Sequence, residues 1–184
     1  MGFILFILSL IVLLITTIQI PTKKTIIPFD LGLGRKGSLT IAIPPRLRAG
    51  DPANVSILVS STPDDVDGAY PKSLDLFSRF EIGGIEVEPK GEIHATVHPD
   101  GTLLFNWRLR TTQNATFTGN LWLFLDQGDE DPMLVYAREV ILESHRFLDL
   151  TYDLVRVAGV FGLLIGGLLS ISLIQHLLKQ LTAK

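Results

Sequence analysis

Thr102-Leu-Leu-Phe-Asn-Trp-Arg-Leu-Arg110 sets Leu103, Phe105, Trp107 and Leu109 on one side of an extended chain, with Asn106, Arg108 and Arg110 on the other. Alternation of period two marks a strand with one face in a core and one in water. The period recurs on both sides of this stretch. Leu39, Ile41 and Ile43 share a face, as do Val55, Ile57 and Val59, and Ile93, Ala95 and Val97 alternate against His94 and His98. Leu121, Leu123 and Leu125 alternate with Trp122 and Phe124, which predicts a strand with apolar groups on both faces.

Turn residues separate these runs. Pro44-Pro45 stops one strand, and Ala49-Gly50-Asp51-Pro52 and Pro99-Asp100-Gly101 mark turns. Gly83-Gly84, between Phe80-x-Ile82 and Ile85-x-Val87, suits a hairpin turn or a bulge. Ser60–Ser78 lacks periodicity and reads as a loop with one helical turn near Leu74–Phe77. Met133–Glu143 completes the set as a strand, although Val135, Arg138 and Glu139 also fit a helix. Leu31–Gly37 is a glycine-rich turn; Gly32, Gly34 and Gly37 lack the dinucleotide spacing and no long helix follows.

Seven or eight short strands with turns between them predict a mainly β fold, a sandwich or small barrel. The succession Ile43-Pro44-Pro45, Ala49-Gly50-Asp51 and Val55-x-Ile57-x-Val59 resembles the first two strands of bacterial immunoglobulin-like domains. The likeness covers some twenty residues and implies an immunoglobulin-like sandwich; it carries no function.

The ends differ in kind. Gly2–Ile20 has no charge before Pro21 and Lys23-Lys24, and Val157–Ile174 is eighteen residues without a charge. At about 1.5 Å per residue the latter nearly crosses a ~30 Å hydrocarbon core. Without a basic leader or a small-x-small cleavage site, the first run is expected to be a retained anchor rather than a signal peptide. Small residues mark both runs: Gly2, Ser9 and Thr16 at every seventh position, and Ala158, Gly162, Gly166 and Ser170 at every fourth. In lipid, such stripes let helices approach closely. The first could pack on the second or on another subunit.

The chain is therefore expected to divide into an anchor helix (1–22), a β-sandwich (25–144), a helical segment (145–178) with its membrane core at 157–174, and a polar tail (179–184). Ser144–Arg156 is expected to begin helical. Residues 25–150 hold eleven Lys/Arg against eighteen Asp/Glu, a net of −7. Such a domain is a poor partner for nucleic acid or an anionic lipid surface. Lys/Arg near the spans do not set orientation. The acidic β-rich character and the sequons at Asn54 and Asn114 favour an extracytoplasmic domain on a two-pass protein.

Little marks chemistry. With no cysteine there is no disulfide, thiolate metal site or thioether haem. His94 and His98 on a strand lie about 13 Å apart, too far to share zinc. Asp64, Asp65 and Asp67, with Asp126, Asp129 and Asp131, are weak calcium candidates in loops that read as solvated carboxylates. His176, at the end of the second span, reads as an interfacial polar residue rather than a haem or pigment ligand. No nucleophile elbow, phosphate loop or His-Glu-x-x-His occurs, so neither catalysis nor a cofactor is expected. The spans carry no ionisable residue before their ends, which argues against transport. The leading expectation is a non-catalytic accessory or assembly subunit, contacting integral membrane subunits and the bilayer. The alternative is a membrane-anchored sensor or adhesion module binding a ligand, calcium or a surface protein through its loops.

Overall fold

The computed structural model describes residues 2–18, 21–30, 35–63, 73–98, 101–128 and 131–182. The chain forms two compact units, Ile20–His145 and the termini Met1–Gln19 with Arg146–Lys184.

Ile20–His145 contains β1 (Lys23–Asp30), β2 (Arg35–Ile43), β3 (Arg46–Arg48), β4 (Ala53–Pro63), β5 (Leu74–Ile82), β6 (Glu86–Glu88), β7 (Glu92–Val97), β8 (Thr102–Arg110), β9 (Thr116–Asp126) and β10 (Met133–His145). One sheet runs β1-β2-β4-β8-β6 and the other β3-β10-β9-β5-β7. The fold is thus mainly β, two five-stranded sheets enclosing one core. The β2-β4-β8-β6 order matches A-B-E-D of an immunoglobulin-type sandwich, and β10-β9-β5 matches G-F-C.

The core follows the alternation. Phe105, Trp107 and Leu109 of β8 are fully buried, beside Leu39 and Ile41, Val55, Ile57 and Val59 of the same sheet and in one cluster with Leu121, Leu123 and Leu142 of the other. Each such side chain contributes about 1.5–3 kcal/mol by leaving water. Trp122 and Phe124 lie on the opposite face of β9, half-buried, as the double-faced pattern predicts.

Pro44-Pro45 does more than end β2. With no N–H to extend the ladder, the chain leaves the first sheet there and joins the second as β3, which pairs in parallel with Glu143–His145 of β10. The turn after β3 is pinned by Ala49 N–H to His145 O (2.9 Å) and Gly50 N–H to Thr111 O (2.7 Å). Gly50 sits there at φ 95°, a conformation that costs glycine little.

Several sequence expectations change. Arg35–Gly37 belongs to β2 rather than to a turn, and 31–34, the rest of the expected glycine-rich turn, lie outside the described residues. Within the loop expected over 60–78, β4 continues to Pro63 and β5 begins at Leu74, so Leu74–Phe77 is strand, not a helical turn. Gly83-Gly84 turns the chain but not into a hairpin: β6 pairs with β8 in the opposite sheet. Met133–Glu143 is strand throughout, because Val140 and Leu142 fill the core only at period two.

In the other unit, α1 spans Gly2–Thr17 and α2 spans Tyr152–Thr182. The helical start expected at Ser144 is displaced. Ser144 and His145 end β10, and Phe147–Leu150 forms a tight turn closed by Phe147 N–H to Leu150 O (2.9 Å) and the reverse bond (3.0 Å). Leu148 and Asp149 take φ 49° and 61°, as a type I′ turn demands. The Tyr152–Ile171 stretch of α2 is long and apolar enough to cross a membrane. Helix α1 is apolar but shorter, sixteen residues rising about 24 Å.

Candidate functional site: the paired helices

The small residues of the two ends meet each other. On α1, Gly2, Ser9 and Thr16 are buried, with Phe6 and Leu13 half-buried between them. On α2, Val155, Gly159 and Gly166 are buried and Gly162 half-buried. The helices run antiparallel: Gly2 lies against Leu169, Phe6 against Gly166, Ser9 against Gly162 and Leu13 against Gly159. Large side chains on one helix face glycine on the other, so the axes approach closely without voids.

Gly166 marks the tightest backbone approach. A methyl group there would lie 2.7 Å from the Phe6 backbone nitrogen and 3.0 Å from the Gly2 carbonyl oxygen. At Gly162 it would overlap the Ser9 hydroxyl, and at Gly159 it would come 2.9 Å from Leu13 Cγ.

The α2 stripe is not quite the one its sequence suggests. Ala158 is exposed, and the neighbouring Gly159 takes its place in the contact; Ser170 is half-buried, its hydroxyl donating to Gly166 O at 2.7 Å. Four residues turn a helix about 40° past a full revolution, so an every-fourth stripe drifts off a straight partner. The contacting set 155, 159, 162, 166, 169 steps by four and three in turn, an average of 3.5 residues, as does 2, 6, 9, 13, 16 on α1, and two 3.5-residue patterns keep one seam in register. That shared period is the signal by which Gly159 could have been found. Nothing in the sequence marked Arg156, whose Nη2 donates to Thr16 O at 2.6 Å.

Away from the seam the pair exposes large apolar side chains on every side, among them Phe3, Ile4, Leu8 and Leu14 on α1 and Phe161, Leu164 and Leu168 on α2. Leu168 is 70% exposed.

The other candidate residues stay apart. Asp64, Asp65, Asp67 and Asp129 lie outside the described residues. Asp126 closes β9 and its carboxylate accepts the Gly128 N–H at 2.9 Å, while Asp131 is exposed. Among the described residues no three His, Asp or Glu side chains gather as metal ligands. His94 stacks on Phe77 (5.1 Å) and lies 3.5 Å from Glu92; His145 lies 3.5 Å from Glu143; His98 is exposed. The side chain of His176 lies outside the described residues. Trp107 is a core residue, and Trp122 lies on the outer sheet face beneath Arg79, 6.0 Å from its guanidinium carbon.

A cleft of about 260 Å³ opens at one margin of the sandwich. Its lining includes Lys23 of β1, Ile41 and Ile43 of β2, and Arg138, Glu139 and Val140 of β10.

No protein-family model and no curated protein matches the chain. Solved β-domains resemble it weakly. One is a chain from the complex of zinc 2-glycoprotein with prolactin inducible protein from human seminal plasma (15% identity over 69% of this chain and 100% of that one, TM-score 0.41). A second is the ASH/PapD-like domain 7 of human CEP192 (8% identity, 71% and 89%, TM-score 0.36). A third is the cupredoxin domain of amoB from Nitrosocaldus yellowstonii (13% identity, 68% and 90%, TM-score 0.33). The class is therefore set by the chain's own topology: a two-sheet β-sandwich and an antiparallel pair of apolar helices.

Proposed function

We propose that the chain is a non-catalytic accessory or assembly subunit of a larger membrane complex, held in the bilayer by both helices and docking through its acidic β-domain. The observation that carries this is the helix pair. Among the described residues its glycine seam is filled from within the chain, and large apolar side chains that water would not tolerate uncovered lie exposed on both helices. Lipid and the helices of integral membrane subunits are the solvents such a surface fits.

Helix α1 is short for a lone span, but a helix packed along α2 crosses with modest local thinning of the bilayer. Two antiparallel spans put both termini on one side and the β-domain on the other. The acidic domain and its sequons favour the extracytoplasmic side.

Purification of the full chain in mild detergent tests the proposal. Stoichiometric integral membrane partners are expected. A monodisperse single chain, recovered alone from native membranes under several detergents, overturns it.

A further inference from the structure

The margin of the sandwich at β10 has an unusual combination of features. Tyr136–Leu142 pairs in unbroken register with Leu123–Phe117 of β9 on one side. On its other side, among the described residues, β10 has a partner strand only at Glu143–His145, where three-residue β3 adds in parallel. Among the described residues, nothing pairs with the outer edge of Tyr136–Leu142. Alternate N–H and C=O groups over these seven residues, about 23 Å of strand, thus face outward.

The other sheet margins are blunted in familiar ways. β1 carries Lys23, Lys24 and Pro28; β3 and β6 are three residues long; β7 carries Glu92 and an exposed His94. β10 is long, proline-free and rich in Val, Ile and Leu, a composition that favours strand addition. The cleft between this edge and β1 holds two cations, Lys23 and Arg138, with no ion pair to any described residue, above an apolar floor of Ile41, Ile43 and Val140; Glu139 also lines it, but strand alternation sets its side chain on the opposite face of β10 from Arg138 and Val140.

We infer that the free edge of β10 binds an extended partner segment that alternates acidic and apolar residues. It adds as a strand beside Tyr136–Leu142, seats an apolar side chain in the cleft and places carboxylates against Lys23 and Arg138. This rests on the docking role proposed above and names its surface. Backbone pairing supplies affinity, and the cleft and its cations supply selectivity. A second copy of this chain fits poorly. Antiparallel β10–β10′ pairing centred on the middle of the edge sets Arg138 opposite Arg138′, or Glu139 opposite Glu139′, and like charges directly opposite destabilise a ladder.

The test uses the full chain in detergent and a fluorescein-labelled peptide of alternating valine and glutamate, about eight residues long. Fluorescence anisotropy should show saturable binding. Substituting Lys23→Glu and Arg138→Glu together should weaken it roughly tenfold or more at an unchanged melting temperature, because both charges are exposed and only repel the peptide. N-methylating alternate peptide amides should abolish it. Absence of binding at millimolar peptide, equal binding of the N-methylated peptide, or equal binding of a valine–lysine peptide each overturns the inference. So does a chain dimer, seen by light scattering, that Arg138→Glu dissociates and the peptide cannot; the edge is then self-complementary. Native partners that co-purify undiminished with the double variant overturn the edge assignment alone. Intact peptide binding with no co-purifying partner supports the edge and overturns the accessory role.

Discussion

Arg156 Nη2 reaches the main-chain carbonyl of Thr16 at 2.6 Å, 140 residues away in sequence, and so caps α1 from α2. The last carbonyls of a helix have no partner within it, and the macrodipole makes that end negative, so a guanidinium there is doubly favoured. In an apolar setting such a charge-assisted bond is strong.

Arg156→Ala should therefore loosen the pair by about 1.5–3 kcal/mol, the range for a hydrogen bond to a charged donor, and Arg156→Lys should recover part of it. The chain has no cysteine, which gives a direct readout: Ser9→Cys, buried against Gly162, should be alkylated slowly by a maleimide while the pair is closed. Alkylation should speed up in the order Arg, Lys, Ala at position 156. Equal rates would falsify the capping role.

Gly166→Leu should separate the helices, because the atoms it would strike are the Phe6 nitrogen and Gly2 carbonyl, main chain that cannot rotate aside. Alkylation of the Ser9→Cys thiol should accelerate sharply while β-sheet circular dichroism is retained. Ala158→Leu, on an exposed position, should leave the rate near that of the parent. If the two substitutions behave alike, the seam is misassigned.

Gly119 sits inside β9, where a Cβ would overlap the Glu81 carbonyl oxygen and lie 2.6 Å from Ile82 Cβ. Gly119→Val should cost about 3 kcal/mol or more by parting β5 from β9, despite the high strand propensity of valine. Denaturant unfolding followed by tryptophan fluorescence measures it; a gain in stability would show that the β5–β9 spacing relaxes.

Trp107 is fully buried and its indole Nε1 has no hydrogen-bond partner. Trp107→Ala should cost about 3–5 kcal/mol through lost burial and the cavity left behind. Trp107→Phe should cost much less, since the donor it removes made no bond to begin with. A phenylalanine variant as unstable as the alanine one would indicate a bridging water at that nitrogen.

An environment-sensitive fluorophore at Leu164→Cys or Leu8→Cys should emit as in hydrocarbon and be quenched by brominated lipid, whereas one at Asp126→Cys should emit as in water. Aqueous emission from both helix sites removes the membrane anchor.

The strands that run cleanly at period two, β4, β7, β8 and β9, were legible because each residue's side depends only on its neighbours along the chain. Leu103 to Leu109 would read the same in any protein. Where an element depends on distant partners, local signals failed. β3 is three residues after two prolines and exists only because β10 lies beside it. Leu74–Phe77 has no local bias strong enough to override pairing with β7 and β9. Ser144 and His145 remain strand because β3 accepts them.

The termini divide in the same way. The sequence alone determined that both ends are apolar helices, that small residues punctuate them, and that the domain between is β-rich and acidic. Only tertiary structure decided that Gly159 rather than Ala158 faces α1, that Arg156 closes the seam, and that no described strand pairs with the outer edge of Tyr136–Leu142. Composition and period are properties of one segment, whereas register, capping and the absence of a neighbour are properties of two. Residues far apart in sequence acquire them only when the folded chain brings them to within a few ångströms.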